Sequence, residues 1–340
     1  MNVSKETVNF LTDTIDEIVT MYYNYYNDIN IENNAESKDN EIRINYLQAL
    51  TYILESYMND DEIEADETIE KQILDKFAEI DTWFSTHTVN SEELRKALLL
   101  LNIKGFKQVN FSLDMITPDA VGMLLVHLVS AYFSNNEKIN IIDPNIGTGN
   151  LIALINNYLP NEVEFTGIEN HEILANLLSA EANFMEMNCN IYLQDALTDT
   201  FTNYDILVCD IASYQYDDSN YKSELKDQGI DYFPYLLIEK FLSHKNAISK
   251  QIYIIDYDFF EQPGSDKFKD FLKTKAIIKS IIALPSSMFL SKDFTKGILI
   301  LETLDEANKN TKTGVYMLPS LNDTVSLNKI LNEIKKDLKK

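Results

Sequence analysis

The chain has 340 residues, 45% of them apolar, enough to bury a full core in two domains or in one large domain with an extension. Its formal net charge is -25, with 54 acids against 29 bases. Nucleic-acid binding by the chain alone is therefore not expected, since that affinity comes mostly from lysine and arginine on phosphates. No run of 18 apolar residues occurs and Met1 to Phe10 is polar and acidic, so neither membrane insertion nor secretion is expected and the cytoplasm is the expected compartment.

Residues 1–105 hold 22 acids and 8 bases and read as a small, acidic, helical N-terminal domain. Val8, Leu11, Ile15, Ile18, Val19 and Tyr22 recur at helical spacing, as do Tyr46, Leu47, Leu50, Ile53, Leu54 and Tyr57, and then Ile69, Ile73, Leu74, Phe77 and Ile80. The polar stretch Asn27 to Asn40 between the first two fits a loop. Asn90 with Glu93 three residues on is a capping-box pattern, opening a helix that Gly105 is expected to stop. The cluster Tyr22, Tyr23, Tyr25 and Tyr26 suits a helix-bundle core better than a docking surface.

From residue 139 the pattern changes to short β-rich runs separated by helical stretches. Strands are expected at Ile139 to Asp143, Val163 to Glu169, Asn190 to Gln194, Tyr204 to Asp210, Gln251 to Asp256, Ile277 to Leu284 and Gly297 to Glu302. Helices fit at Gly149 to Tyr158, His171 to Met187 and Phe233 to Leu242. The alternation implies a doubly wound, mostly parallel α/β sheet with ligands at the carboxyl ends of its strands. Leu284 to Gly297 contains Pro285 and little helical pattern, so a short link to an antiparallel final strand is expected. Cys189 and Cys209 lie in apolar segments and read as buried thiols. His87, His127, His171 and His244 lack ligand spacing, so no metal site is expected. The basic tail Lys335, Lys336, Lys339 and Lys340 suits the C-terminal pole of a helix.

The chemistry concentrates after the first of these strands, in Ile141-Ile142-Asp143-Pro144-Asn145-Ile146-Gly147-Thr148-Gly149-Asn150-Leu151. Two glycines let the backbone turn tightly and approach a ligand, and free N–H groups at a helix start attract a carboxylate or phosphate. Glu169 ends the second strand, 22 residues past Gly147, where an acid can take both hydroxyls of an adenosine ribose. Asp195 ends the third, where a carboxylate can accept from an adenine amine, and Asp210 ends the fourth.

This run resembles motif I of the class I methyltransferases, in the Asp-Pro-x-x-Gly-Thr-Gly-x-Leu form of the adenine-N6 DNA methyltransferases. Met115-Ile116-Thr117-Pro118, followed by a helix from Asp119 to Phe133, is similar to that family's Thr-Pro segment, which contacts the methionine part of the cofactor. Ile281-Ile282-Ala283-Leu284-Pro285-Ser286-Ser287-Met288-Phe289 and Thr295-Lys296-Gly297-Ile298-Leu299-Ile300-Leu301 resemble its late pair of strands. The likeness spans roughly residues 106–320 and looks most like the stand-alone YtxK-like members. It implies a seven-stranded Rossmann-like sheet with an antiparallel last strand in a domain over 106–340 with core 139–303. It also implies S-adenosylmethionine as cofactor, held by Thr117, Asp143, Asn145, Gly147, Gly149, Glu169, Asp195 and Asp210, with Asp210 and Tyr214 as catalytic residues.

The departure lies in the catalytic tetrapeptide, Asn or Asp, Pro-Pro and an aromatic in the family, against Asp210-Ile211-Ala212-Ser213-Tyr214 here. In the family the side-chain oxygen and a proline carbonyl hold the two hydrogens of the adenine amine while the aromatic stacks on the flipped base. Here the acid stays, both prolines are gone and the aromatic is displaced by one residue. The expected function is S-adenosylmethionine-dependent methyl transfer to a small molecule or protein. The alternatives are a catalytically inactive interaction or regulatory module and a DNA adenine-N6 methyltransferase. A dinucleotide oxidoreductase is disfavoured, because Ile152 stands where its third glycine belongs.

Overall fold

In a computed structural model of the chain, residues 2–33, 43–135, 137–198, 203–243, 249–289, 291 and 295–339 are described. The chain divides into two compact units that do not follow its order: one holds residues 1–116 and 171–187, the other 117–170 and 188–340. The expected domain boundary at 105 falls inside a helix.

The first unit is built from α1 (Lys5–Asn33), α2 (Tyr46–Asn59), α3 (Glu67–Thr86) and α4 (Ser91–Val109). The helical spacing buries Leu11, Ile15, Ile18 and Val19 of α1 and Leu47, Leu50 and Ile53 of α2, all essentially inaccessible, and the two helices pack together. Leu74 of α3 is the exception, at 46% exposed. Tyr22 is buried and stacks on Tyr52 at 4.3 Å, a core role, while Tyr23, Tyr25 and Tyr26 are half-buried. The capping box forms: the Asn90 side chain accepts from Glu92 and Glu93 N–H, and Glu93 accepts from the N–H of Asn90 at 2.9 Å and of Ser4 at 2.7 Å.

Two expectations are corrected here. Helix α1 continues through Asn27 to Asn33 where a loop was expected, and Asn27 joins it by exchanging two 3.1 Å hydrogen bonds with the Ile44 backbone. A polar run thus remains helical where one face meets a partner; the rest of that stretch, 34–40, lies outside the described residues, as do His244 and Lys340. Helix α4 runs past Gly105 to Val109 and stops at Asn110, which takes the left-handed cap at φ 56. Gly105 is a packing glycine: a Cβ there would meet Leu47 Cδ2 at 2.2 Å. Close approach of α2 and α4 outweighs the roughly 1 kcal/mol that glycine costs a helix interior.

A fifth helix of this unit comes from far along the chain, as set out below. In the second unit the chain runs α5 (Asp119–Tyr132), β1 (Lys138–Asp143), α6 (Asn150–Tyr158) and β2 (Glu162–Glu169). Then α7 (Glu172–Phe184) belongs to the first unit, where Tyr57 meets Phe184 edge-on at 5.9 Å. The second unit resumes with β3 (Cys189–Leu193), β4 (Ile206–Asp210), the single turn α8 (Glu224–Asp227), α9 (Phe233–Ser243) and β5 (Lys250–Asp256). It finishes with α10 (Ser265–Lys275), β6 (Ala276–Ala283), β7 (Lys296–Thr303), β8 (Gly314–Met317) and α11 (Thr324–Leu338).

The sheet order is β3-β2-β1-β4-β5-β7-β6-β8, with β1 to β5 parallel and β7 antiparallel to both β5 and β6. Among its described residues the link from β6 to β7 holds a 3-10 turn, Ser286–Met288, which suits the antiparallel return. The expected seven strands become eight. β8 pairs parallel with β6 at the sheet edge, and its four residues, with Val315 and Met317 exposed, are too short to show an alternating pattern. The stretch Leu113–Tyr132 is long and apolar enough by composition to cross a bilayer, but within it α5 buries eight residues and packs on α6 and α11 as a core helix. Cys209 is fully buried and Cys189 partly so, and neither forms a disulfide.

Glu181 of α7 is buried, accepts from Asn102 Nδ2 at 3.2 Å, and is pushed up to about 8 by burial. Unfolded it ionises near pH 4.5, so between that value and about 8 the unfolded chain has released a proton that the folded chain keeps. Its contribution is present below that window and is lost as pH rises through it. In urea unfolding followed by circular dichroism, Glu181→Gln is expected to gain on the wild type by a few kcal/mol between pH 5 and pH 8; a constant difference would show that Glu181 ionises normally.

Candidate functional site

The strand order reverses between β1 and β4, so the connections leaving their carboxyl ends run to opposite sides and leave a crevice there. Every site residue named from the sequence lies in the second unit, and all but Thr117 lie on the strand ends and the segments that follow them.

The loop from Asp143 to Gly149 is held from several directions. Ile146 is buried, and its N–H donates to the Ile168 carbonyl at 3.1 Å, docking the loop on β2. Gly147 and Gly149 take φ of 55 and 69, a region that side chains rarely adopt, and Gly149 forms the N-cap of α6. The Gly147 N–H donates to Glu169 Oε2 at 3.0 Å, so the carboxylate closing β2 aims at the glycine turn closing β1. Asp143 is 2% exposed and accepts from the Asn145 N–H at 3.1 Å. Burial, reinforced by the charge of Asp210 and opposed by its hydrogen bonds, holds the Asp143 carboxyl up at about 8, a neutral acid at pH 7.

Asp210 is the point where distant segments meet. Its Oδ2 accepts from Thr117 Oγ1 at 2.8 Å and its Oδ1 from Lys296 Nζ at 2.6 Å, with the Asp210 and Lys296 side chains each 13% exposed. The Thr117 carbonyl in turn accepts from Asn150 Nδ2 at 2.7 Å, tying the Thr-Pro segment to the start of α6. Asp195 accepts from the Tyr216 hydroxyl at 2.6 Å and from the Leu197 N–H at 2.8 Å.

The segment after Asp210 is shaped without prolines. The Ala212 N–H donates to Asn145 Oδ1 at 2.7 Å, a bond that a proline at this position could not make. Beyond it the chain pairs with 231–233: Phe233 N–H donates to the Tyr214 carbonyl at 2.9 Å and Tyr216 N–H to the Asp231 carbonyl at 2.6 Å. Ser213, in the family's aromatic position, shares a 3.1 Å hydrogen bond with the Tyr232 hydroxyl. The Tyr214 ring stacks on Phe233 at 4.4 Å and is 39% exposed. Burial, and then the negative charges of Asp195 and Glu169, raise its hydroxyl pKa, so Tyr214 lies in the field of both acids.

The structure thus brings Thr117, Asp143, Asn145, Gly147, Gly149, Glu169 and Asp210 into one connected network, with Asp195 and Tyr214 on the neighbouring segments. Sequence reasoning missed Lys296 and Tyr216, the partners of Asp210 and Asp195. Lys296 is 86 residues from Asp210 and only the sheet order brings them close. Tyr216 alternates with Tyr214, which would have shown it only if the segment had been read as extended. Among the described residues no group of three His, Cys, Asp or Glu could hold a metal ion.

No family model matches the chain. It is 30% identical over 259 residues to the uncharacterized protein YtxK of Bacillus subtilis (strain 168), covering 73% of this chain and 77% of that one. A Listeria monocytogenes structure, provisionally classed as a class I S-adenosylmethionine-dependent methyltransferase, superposes with a TM-score of 0.81 at 23% identity over 98% of this chain and 100% of that one. The methyltransferase subunit of a type I restriction-modification system from Streptococcus thermophilus superposes with a TM-score of 0.61 at 15% identity over 99% and 94%. The chain belongs to the YtxK-like family and has the class I methyltransferase fold.

Proposed function

We propose that the chain binds S-adenosylmethionine across the carboxyl ends of β1, β2, β3 and β4 and transfers its methyl group to a small molecule or a protein. The observation that carries this reading is the 3.0 Å bond between the Gly147 N–H and Glu169, which joins the glycine turn of one strand to the acid closing the next. The donor set suits the cofactor: two left-handed glycines for close approach, a carboxylate for ribose hydroxyls, and a further acid for an adenine amine. Glu169 takes the ribose, Asp195 the adenine, and the loop Asp143 to Gly149 with Thr117 the methionine end. Asp210 and Tyr214 face the methyl group. When bound, S-adenosylmethionine supplies an electrophilic methyl on a sulfonium: the acceptor's lone pair forms the new bond to carbon, the S–C pair stays on sulfur, and a neutral thioether remains.

One observation favours a second reading, an inactive module that binds cofactor without turnover. Both Asp210 oxygens already accept from donors of this chain, and the proline carbonyl that would hold a second hydrogen of an amine is replaced. The same facts, with the net charge of -25, count against methylation of adenine in DNA by the chain alone.

Calorimetric titration with S-adenosylmethionine tests the reading directly, since a chain that gives neither heat nor a thermal shift is not the enzyme proposed. Glu169→Ala is expected to raise the dissociation constant about tenfold or more, because hydrogen bonds to a charged group contribute roughly 1.5 to 3 kcal/mol each; a change under about twofold would show that Glu169 does not hold the ribose. Gly147→Val is expected to abolish the thermal shift caused by S-adenosylmethionine while the ligand-free Tm falls only a few degrees, on the order of 1 to 2 kcal/mol of strain. Normal binding by that variant would reduce the loop to a turn. In a gel-shift assay at physiological salt the chain alone should leave duplex DNA unshifted, and a discrete complex would overturn that expectation.

A further inference from the structure

Lys296 holds neither the ribose, the adenine nor the methionine end in the proposed cofactor site, yet it makes one of the site's shortest contacts. Its Nζ lies 2.6 Å from Asp210 Oδ1, and both side chains are 13% exposed. Water screens such a pair less than a surface one, so ammonium and carboxylate act together as a neutral dipole. Thr117 Oγ1 holds the other oxygen at 2.8 Å and fixes the carboxylate's orientation. On the adjoining strand end Asp143 is a neutral acid at pH 7. The Asp210–Lys296 pair therefore adds no net charge where β4 ends, although the chain as a whole is strongly acidic.

We infer that Lys296 is a specificity-determining residue of the methyl-donor site: by neutralising Asp210 it withholds a counter-charge from the sulfonium, so the site gains little preference for the cationic donor over the neutral thioether. The inference rests on the reading of this crevice as an S-adenosylmethionine site. Its chemical logic is differential binding. The positive charge at sulfur disperses as the methyl group leaves, so a bare carboxylate beside it would stabilise the starting state more than the transition state and raise the barrier. Pairing the carboxylate with Lys296 removes that penalty while keeping Asp210 as a hydrogen-bond acceptor.

The test is the ratio of the dissociation constants of S-adenosylmethionine and S-adenosylhomocysteine, measured by calorimetry on the full chain. Lys296→Met uncovers the Asp210 charge and is expected to shift the ratio towards S-adenosylmethionine by about fivefold or more. Lys296→Arg keeps the charge and should leave the ratio within about twofold of wild type. Asp210→Asn removes the negative charge beside Lys296 and should shift the ratio the other way, and it decides the question if the methionine variant does not fold. Lys296→Met and Asp210→Asn variants that fold, bind both ligands and keep the wild-type ratio overturn the inference and leave the site reading standing. Wild-type protein that gives heat with neither ligand overturns both.

Discussion

Parallel strands whose crossovers run to opposite sides cannot cover their own carboxyl ends, and in this sheet the constraint applies between β1 and β4. Everything at the site follows from filling that crevice with backbone turns and short polar side chains. The loop after β1 crosses towards β2 and is docked there by Ile146. Acids can occupy the strand ends because each finds a donor: Glu169 the Gly147 N–H, Asp195 Tyr216 and Leu197, Asp210 Thr117 and Lys296. Asp143, the most enclosed of the four, accepts from the Asn145 N–H, and burial still pushes its carboxyl up to about 8. A carboxylate buried there would face both desolvation and its neighbours' charges, and a neutral acid escapes both.

The altered tetrapeptide is held by other means than a Pro-Pro turn. Prolines after the acid would stiffen the turn; here Asn145 and the 231–233 segment do so through hydrogen bonds to the backbone. The residue types exchanged are not equivalent. Proline supplies rigidity and a carbonyl but no donor, whereas alanine brings an N–H that must be satisfied, and Asn145 satisfies it. The loop after β1 and the segment after β4 are thereby coupled directly, a link that a Pro-Pro turn could not provide.

Much of this was legible in the sequence because it is local. Seven strands, the α6 start, the α4 capping box and the four acids at strand ends are set by spacing within a few residues, and their positions agree with the structure to within a residue or two. What the sequence hid was of two kinds. Long-range pairings such as Lys296 with Asp210 and Asn150 with Thr117 depend on strand order, which no periodicity encodes. Misread punctuation was the other kind: Gly105 looks like a helix stop and is a contact with Leu47, Asn27 looks like a loop and is a helical residue held by Ile44, and β8 is too brief to register. Glycine and asparagine are ambiguous because close packing and chain reversal call for the same small or polar side chains.

Helix α7 lies in sequence between β2 and β3 but belongs to the N-terminal unit, where Leu174, Leu177 and Leu178 are buried. The polypeptide therefore passes out of the second unit after Asn170 and back at Asn188, so neither unit is a continuous stretch of chain. Synthesis runs from the N-terminus, and the ribosome delivers β1, α6 and β2 before the helix that completes the earlier unit emerges. A cut in the chain at residue 116 would therefore divide the first unit, leaving its four N-terminal helices on one piece and α7 on the other.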